Sequence, residues 1–159
     1  MPSARRRPTG SRAGWARGWA FGTPARRGCM DCPECGTAMV AFDVPAEYRT
    51  HLPTAAAHAA LCPACLAFEP ADSAPADPRF DRVSDAFPTN ADGAVPLAVA
   101  VGLLDSLALH RDDIEALLAG AERAGVDPLL VLDRLAAQGA IRPRFDLDRR
   151  RHQLQQLLD

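Results

Sequence analysis

The feature that most constrains this chain is a pair of cysteine knuckles. Cys32-Pro33-Glu34-Cys35-Gly36 is answered by Cys62-Pro63-Ala64-Cys65, with 26 residues between Cys35 and Cys62. Two residues between cysteines let a tight turn aim both sulfurs at one point. Gly36 can take the positive φ that such a turn needs just after its second cysteine. Two pairs supply four thiolates, the ligand count of a tetrahedral structural metal site. Cys32, Cys35, Cys62 and Cys65 are therefore the candidate metal ligands. A closed set of four leaves no position for water or substrate, which argues against a catalytic metal. Sulfur-only tetrahedral sites hold zinc or iron. One structural Zn2+ is expected, with iron the lesser alternative, because matched iron knuckles would want glycine after each and Leu66 follows the second. A redox C-x2-C would sit at a helix N-terminus in a βαβ setting, and nothing here reads βαβ.

Short strands are expected beside the knuckles. Ala38, Val40, Phe42 and Val44 share one face at period 2, and a partner strand over 66–69 would turn Leu66 and Phe68 inward. Between them, 46–52 has room for one or two helical turns, and the Ala-rich 53–60 reads as a helical or irregular crossing back to the second knuckle. Pro70, Pro75, Pro78, Pro88 and Pro96 then mark a linker, whose Phe80 and Phe87 are expected to pack down onto a module.

From Pro96 the period becomes helical, with helices predicted over about 96–110, 112–124, 128–138 and from near Asp146 onward. The first is apolar nearly all round, so it is either central in a core or shared with another chain. The second opens with Asp112 and Glu115 as a capping-box variant and stops at Gly125. The third has Asp127 as cap and Pro128 in the first turn. Short connections make antiparallel neighbours and a small bundle. The expected fold class is α+β: a zinc ribbon with short β-strands over 30–70, a Pro/Asp-rich linker over 71–95, and an all-α bundle over 96–159.

Charge narrows the function. Residues 1–29 carry seven of the 18 basic residues and no acidic one, so residues 30–159 hold 11 Arg against all 20 acidic residues, a net of −9. Lysine is absent and Asp outnumbers Glu 15 to 5, the composition of a salt-adapted protein. In about 1 M salt the Debye length is about 3 Å, so attraction to phosphates would be short-ranged, and an acidic body is a poor start for nucleic-acid binding. Residues 1–29 read as a disordered basic tail upstream of a true start at Met30. A tail that stacks RNA on Trp15 and Trp19 is the sharper alternative. The most apolar run, 97–109, is 13 residues long and contains Asp105, against about 20 for a membrane span. Closely paired cysteines fit a reducing cytosol. His51, His58, His110 and His152 read as bystanders, and Arg149-Arg150-Arg151 as a solvated helix face that pairs with carboxylates. No Ser-His-Asp set, phosphate loop or carboxylate pair stands out.

From Met30 onward the chain resembles the haloarchaeal CPxCG-type zinc-ribbon proteins of unknown function. The likeness is carried by Met30-Asp31-Cys32-Pro33-Glu34-Cys35-Gly36-Thr37, Leu61-Cys62-Pro63-Ala64-Cys65-Leu66 and Leu103-Leu104-Asp105-Ser106-Leu107. The resemblance implies zinc binding and a cytoplasmic, salt-adapted setting, and it implies no activity. The function expected is non-enzymatic: a structural zinc ribbon joined to helices that recruit a protein partner or a second copy. The alternative is a nucleic-acid-associated regulator of transcription or translation that uses the ribbon.

Overall fold

In the computed structural model, which describes residues 30–159, a small antiparallel sheet carries a metal-type cluster on one face and a helical layer on the other. The expectations for the basic tail and a start at Met30 lie outside the described residues. Strand β1 (Val40–Asp43) leads through a single helical turn, α1 (Ala46–Arg49), to β2 (His58–Leu61), which pairs with β3 (Phe68–Ala71). The order is β1-β2-β3 with both pairings antiparallel. A 3-10 turn at Phe80–Arg82 follows, then α2 (Ala91–Leu103), a second 3-10 turn at Leu104–Ser106, α3 (Arg111–Arg123), α4 (Pro128–Ala137) and α5 (Leu147–Leu158). The architecture is α+β, as expected.

The main departure is β2. The crossing over 53–60 was expected to be helical or irregular, yet its last residues form the central strand, with Ala59 opposite Phe42 and Pro70. Alanine has low strand propensity, but that preference yields to packing when both faces of a strand are covered. Here Ala59 belongs to the main core and Ala60 to a cluster with the cysteines, and each is about fully buried. Small side chains are what let two layers close on one strand. Pro70 sits in β3, an edge strand, where its missing N–H costs no ladder bond.

The helical layer packs on the sheet face formed by Val40, Phe42, Ala59 and Leu61. Helix α2 is buried from Gly93 through Val101 and at Leu103, so its all-round apolar character marks it as the central element of this chain's own core. It starts at Ala91, not Pro96, and ends at Leu103, not near 110. Asn90 provides the reason: its side chain accepts from the Asp92 amide at 2.9 Å and caps a turn that precedes the proline. Helix α3 starts after His110, which makes no side-chain cap bond, so the expected Asp112 cap is not formed. Asp112 and Asp113 lie instead within the first turn, where the helix dipole favours negative charge. Gly125, at φ 88°, ends α3. Asp127 and Asp146 cap α4 and α5 by accepting from the Leu130 and Arg149 amides.

The Pro-rich stretch after β3 is pinned by its aromatics. Phe80, Val83 and Phe87 are buried in the main core. Phe80 lies 5.3 Å from Phe42 between ring centroids and stacks on Phe87 at 5.9 Å. Sheet, stretch and helices therefore share one continuous apolar core.

Close approach of α2 to β3 is set by Gly102. A Cβ there would stand 2.4 Å from the Phe68 ring and 2.6 Å from the Phe68 Cβ, so rotating the ring cannot clear it. Gly102→Ala gains about 1 kcal/mol of helix propensity against about 1–3 kcal/mol for overpacking. We expect a net loss of stability in denaturant titration; a stabilised variant would show that α2 can slide off the sheet at no cost.

Candidate metal centre

Both knuckles are hairpin turns, and that is how the fold brings them together. In the first, Asp31 and Ala38 form an isolated bridge, the Cys32 amide donates to the Thr37 carbonyl at 2.8 Å, and the Gly36 amide donates to the Cys32 carbonyl at 2.8 Å. The second is the turn between β2 and β3. There the Cys62 amide donates to the Ala67 carbonyl at 2.8 Å and the Leu66 amide to the Cys62 carbonyl at 3.0 Å. The two turns repeat the same bonding pattern, including amides pointed at the first sulfur: Glu34 N to Cys32 Sγ and Ala64 N to Cys62 Sγ, each at 3.4 Å.

The repeat extends to the residue after each second cysteine. Gly36 has φ 78° and Leu66 has φ 61°. A leucine in this left-handed region costs about 1–2 kcal/mol, and Leu66 is compensated by full burial in the main core. Its side chain ties the second knuckle to the helical layer.

Cys32, Cys35, Cys62 and Cys65 converge, with all four sulfurs within 4.8 Å of one another. Across the knuckles, Cys32 Sγ lies 3.6 Å from Cys65 Sγ and Cys35 Sγ lies 3.5 Å from Cys62 Sγ. Zn–S bonds of about 2.3 Å in a tetrahedron put sulfurs about 3.8 Å apart, so the four positions fit a metal ion of that size. Cys32, Cys62 and Cys65 are buried beside Met39, Ala41, Ala60 and Ala67 on the second face of the sheet, while Cys35 is at the rim.

Electrostatics differ across the four. Thr37, whose hydroxyl is 3.3 Å from the Cys35 sulfur, lowers that thiol from 9.0 to about 6 through its side chain and then its backbone. Burial pushes Cys62 and Cys65 up, because a thiolate in an apolar surround lacks compensation. A cation at the centre would supply that compensation and displace the protons.

None of the four histidines is in the cluster. His58 lies 2.6 Å from Asp43, and His51 lies 2.8 Å from Asp113, which His110 also approaches at 3.5 Å. His152 Nδ1 meets the Asp148 carbonyl. Of the arginine run, Arg151 pairs with Asp133 and Asp148, in line with the expected carboxylate partners on its face. Two contributors had no local signal in the sequence. The Arg142 amide donates to the Ala64 carbonyl at 2.8 Å. Arg144 bridges Glu34 of the first knuckle (2.7 Å) and Asp105 (3.1 Å).

A family model described as a family of unknown function, DUF6276, matches residues 31–158. The chain belongs to this family. No curated protein and no solved structure matches it. In this DUF6276 protein the matched region takes in both knuckles and every element of the fold. Among the described residues no helix is long and apolar enough to cross a membrane.

Two outcomes follow from the geometry. Leu66→Gly relieves about 1–2 kcal/mol of backbone strain but forfeits a buried leucine worth about 2–5 kcal/mol, so thermal melts should show net destabilisation; a stabilised variant would mean that Leu66 does not anchor the knuckle. Metal uptake near pH 7.5 should release protons, since Cys62 and Cys65 are protonated beforehand, and affinity should fall as pH drops. Calorimetry in two buffers of different ionisation enthalpy reads the release directly, and buffer-independent heats would contradict it.

Proposed function

We propose that this protein is a non-enzymatic zinc protein in which Cys32, Cys35, Cys62 and Cys65 hold one structural Zn2+. The observation that carries this reading is the convergence of four sulfurs, three of them buried, at tetrahedral spacing. Four protein ligands saturate zinc and leave no open position for a reactant. The side chains packed against the buried sulfurs, Met39, Ala41, Ala60 and Ala67, are apolar, and the carboxylate of the first knuckle, Glu34, is paired with Arg144. Zinc is favoured over iron because it is the default occupant of closed four-cysteine structural sites.

The role we assign beyond metal binding is protein interaction through the helical layer. Leu109, Leu130 and Leu158 are exposed, Leu109 at 81%, and all three lie in the helical half. An acidic body with no lysine supports a salt-adapted, cytoplasmic setting and speaks against a phosphate-driven role.

Protein purified with zinc in the medium should carry one zinc per chain by elemental analysis. Cys32→Ser and Cys62→Ser should each lose the ion and destabilise the ribbon, since such sites contribute about 10–16 kcal/mol of apparent folding energy in small modules. Variants that melt like the parent without metal would refute the structural role, and a stoichiometric iron content would replace zinc in this reading.

A further inference from the structure

The α4–α5 connection touches both knuckles at once. Its Arg142 amide holds the Ala64 carbonyl of the second knuckle, and its Arg144 side chain holds Glu34 of the first. The same arginine reaches Asp105 in the turn after α2. The Asp105 carbonyl in turn accepts from Arg150 of α5 at 3.1 Å, and Arg150 also donates to Gln153 at 2.9 Å. A polar chain thus runs from the first knuckle through Glu34, Arg144, Asp105 and Arg150 into α5.

Helix α5 has fewer buried anchors than α2. Only Leu147 and Leu154 of its residues are buried, whereas ten residues of α2 are. Leu157 packs against the core from a half-buried position, and Arg151 ties α5 to Asp133 of α4 at 3.3 Å while its Nε stays buried without a hydrogen-bond partner. Between α5 and the segment that follows α2 lies a groove of about 270 Å³, with Leu107, Ala108 and Leu157 as its apolar floor and Arg111, Arg150 and two glutamines around them. The connection needs the two knuckles in fixed relative position, because each supplies one of its contacts. A shared ion fixes that position. The first knuckle is held to the sheet by its run into β1, by the hydrogen bonds around the Asp31–Ala38 bridge and by burial of Cys32 and Met39. Its direct contacts with the second knuckle are between sulfurs, Cys32 with Cys65 and Cys35 with Cys62, so the ion is what would bind Glu34 and Ala64 to one spacing.

We propose that occupancy of the four-cysteine site gates α5: with metal bound, the connection at 142–145 is clamped and α5 stays docked, and on metal loss α5 lifts and uncovers the apolar surface around Leu107. This rests on the four-cysteine site being a metal site. Arg144 is a positioning residue in this scheme, acting on the metal through Glu34.

The test is hydrogen exchange of the full chain, zinc-loaded and after chelation, with zinc measured on the same samples. Amides of 142–158 should exchange at least about tenfold faster after chelation, while 94–121 keeps its protection. Loaded Arg144→Gln should lose zinc to a competing chelator about tenfold faster than the parent, the size usual for partners that orient metal ligands, with Arg144→Lys recovering part of the difference. Zinc that binds while protection of 142–158 ignores it would overturn the gate alone. Equal loss of protection in 94–121 would also overturn it, as a collapse. Protein that binds no zinc would overturn both the gate and the metal reading.

Discussion

The rest of this structure depends on four sulfurs meeting within 4.8 Å. Each knuckle is a hairpin turn, so bringing the turns together also fixes where β1 begins and where β2 ends and β3 starts. The sheet has only three strands of four residues, too little for independent stability without a partner on its faces. The helical layer covers one face and the cysteine cluster with its small apolar neighbours covers the other. A cation bound by the thiolates would convert the second face from a weak apolar patch into a staple, the usual remedy for a core this small.

This double coverage explains the side chains of the sheet. Phenylalanine and valine turn toward the helices, where Phe42 meets Phe68 and Phe80. Met39, Ala41, Ala60 and Ala67 turn toward the cysteines, where there is little depth to fill. Helix α2 then approaches closely enough that Gly102 meets the Phe68 ring. Leu66 accepts a left-handed backbone because its side chain joins the two layers. Packing demands from both sides, and not local preference, decide these positions.

That division also marks what was legible in the sequence. The cysteine pairs, the glycine after the first, the cap Asp127, the helix start near Asp146 and the stop at Gly125 all act through neighbours a few residues away. The docking of Phe80 and Phe87 was legible because a solvated linker has no use for two aromatic rings. Strand β2 was hidden because its alanines are selected by layers that only the folded chain supplies. The start of α2 was hidden because Pro96 resembles a first-turn proline, while Asn90 caps a turn before it. Thr37 could have been noticed beside Gly36, since a hydroxyl two residues past Cys35 is within reach of its sulfur. Arg142 and Arg144 could not, because three helices, α2 to α4, separate them from the knuckles in the chain.

The central claim is that one ion sits among these four sulfurs. X-ray absorption at the zinc edge, on the full chain in solution, tests it most directly. The account predicts a single shell of four sulfur scatterers at about 2.3 Å and no light-atom ligand. A shell containing nitrogen or oxygen, or too little zinc to give one ion per chain, would contradict it.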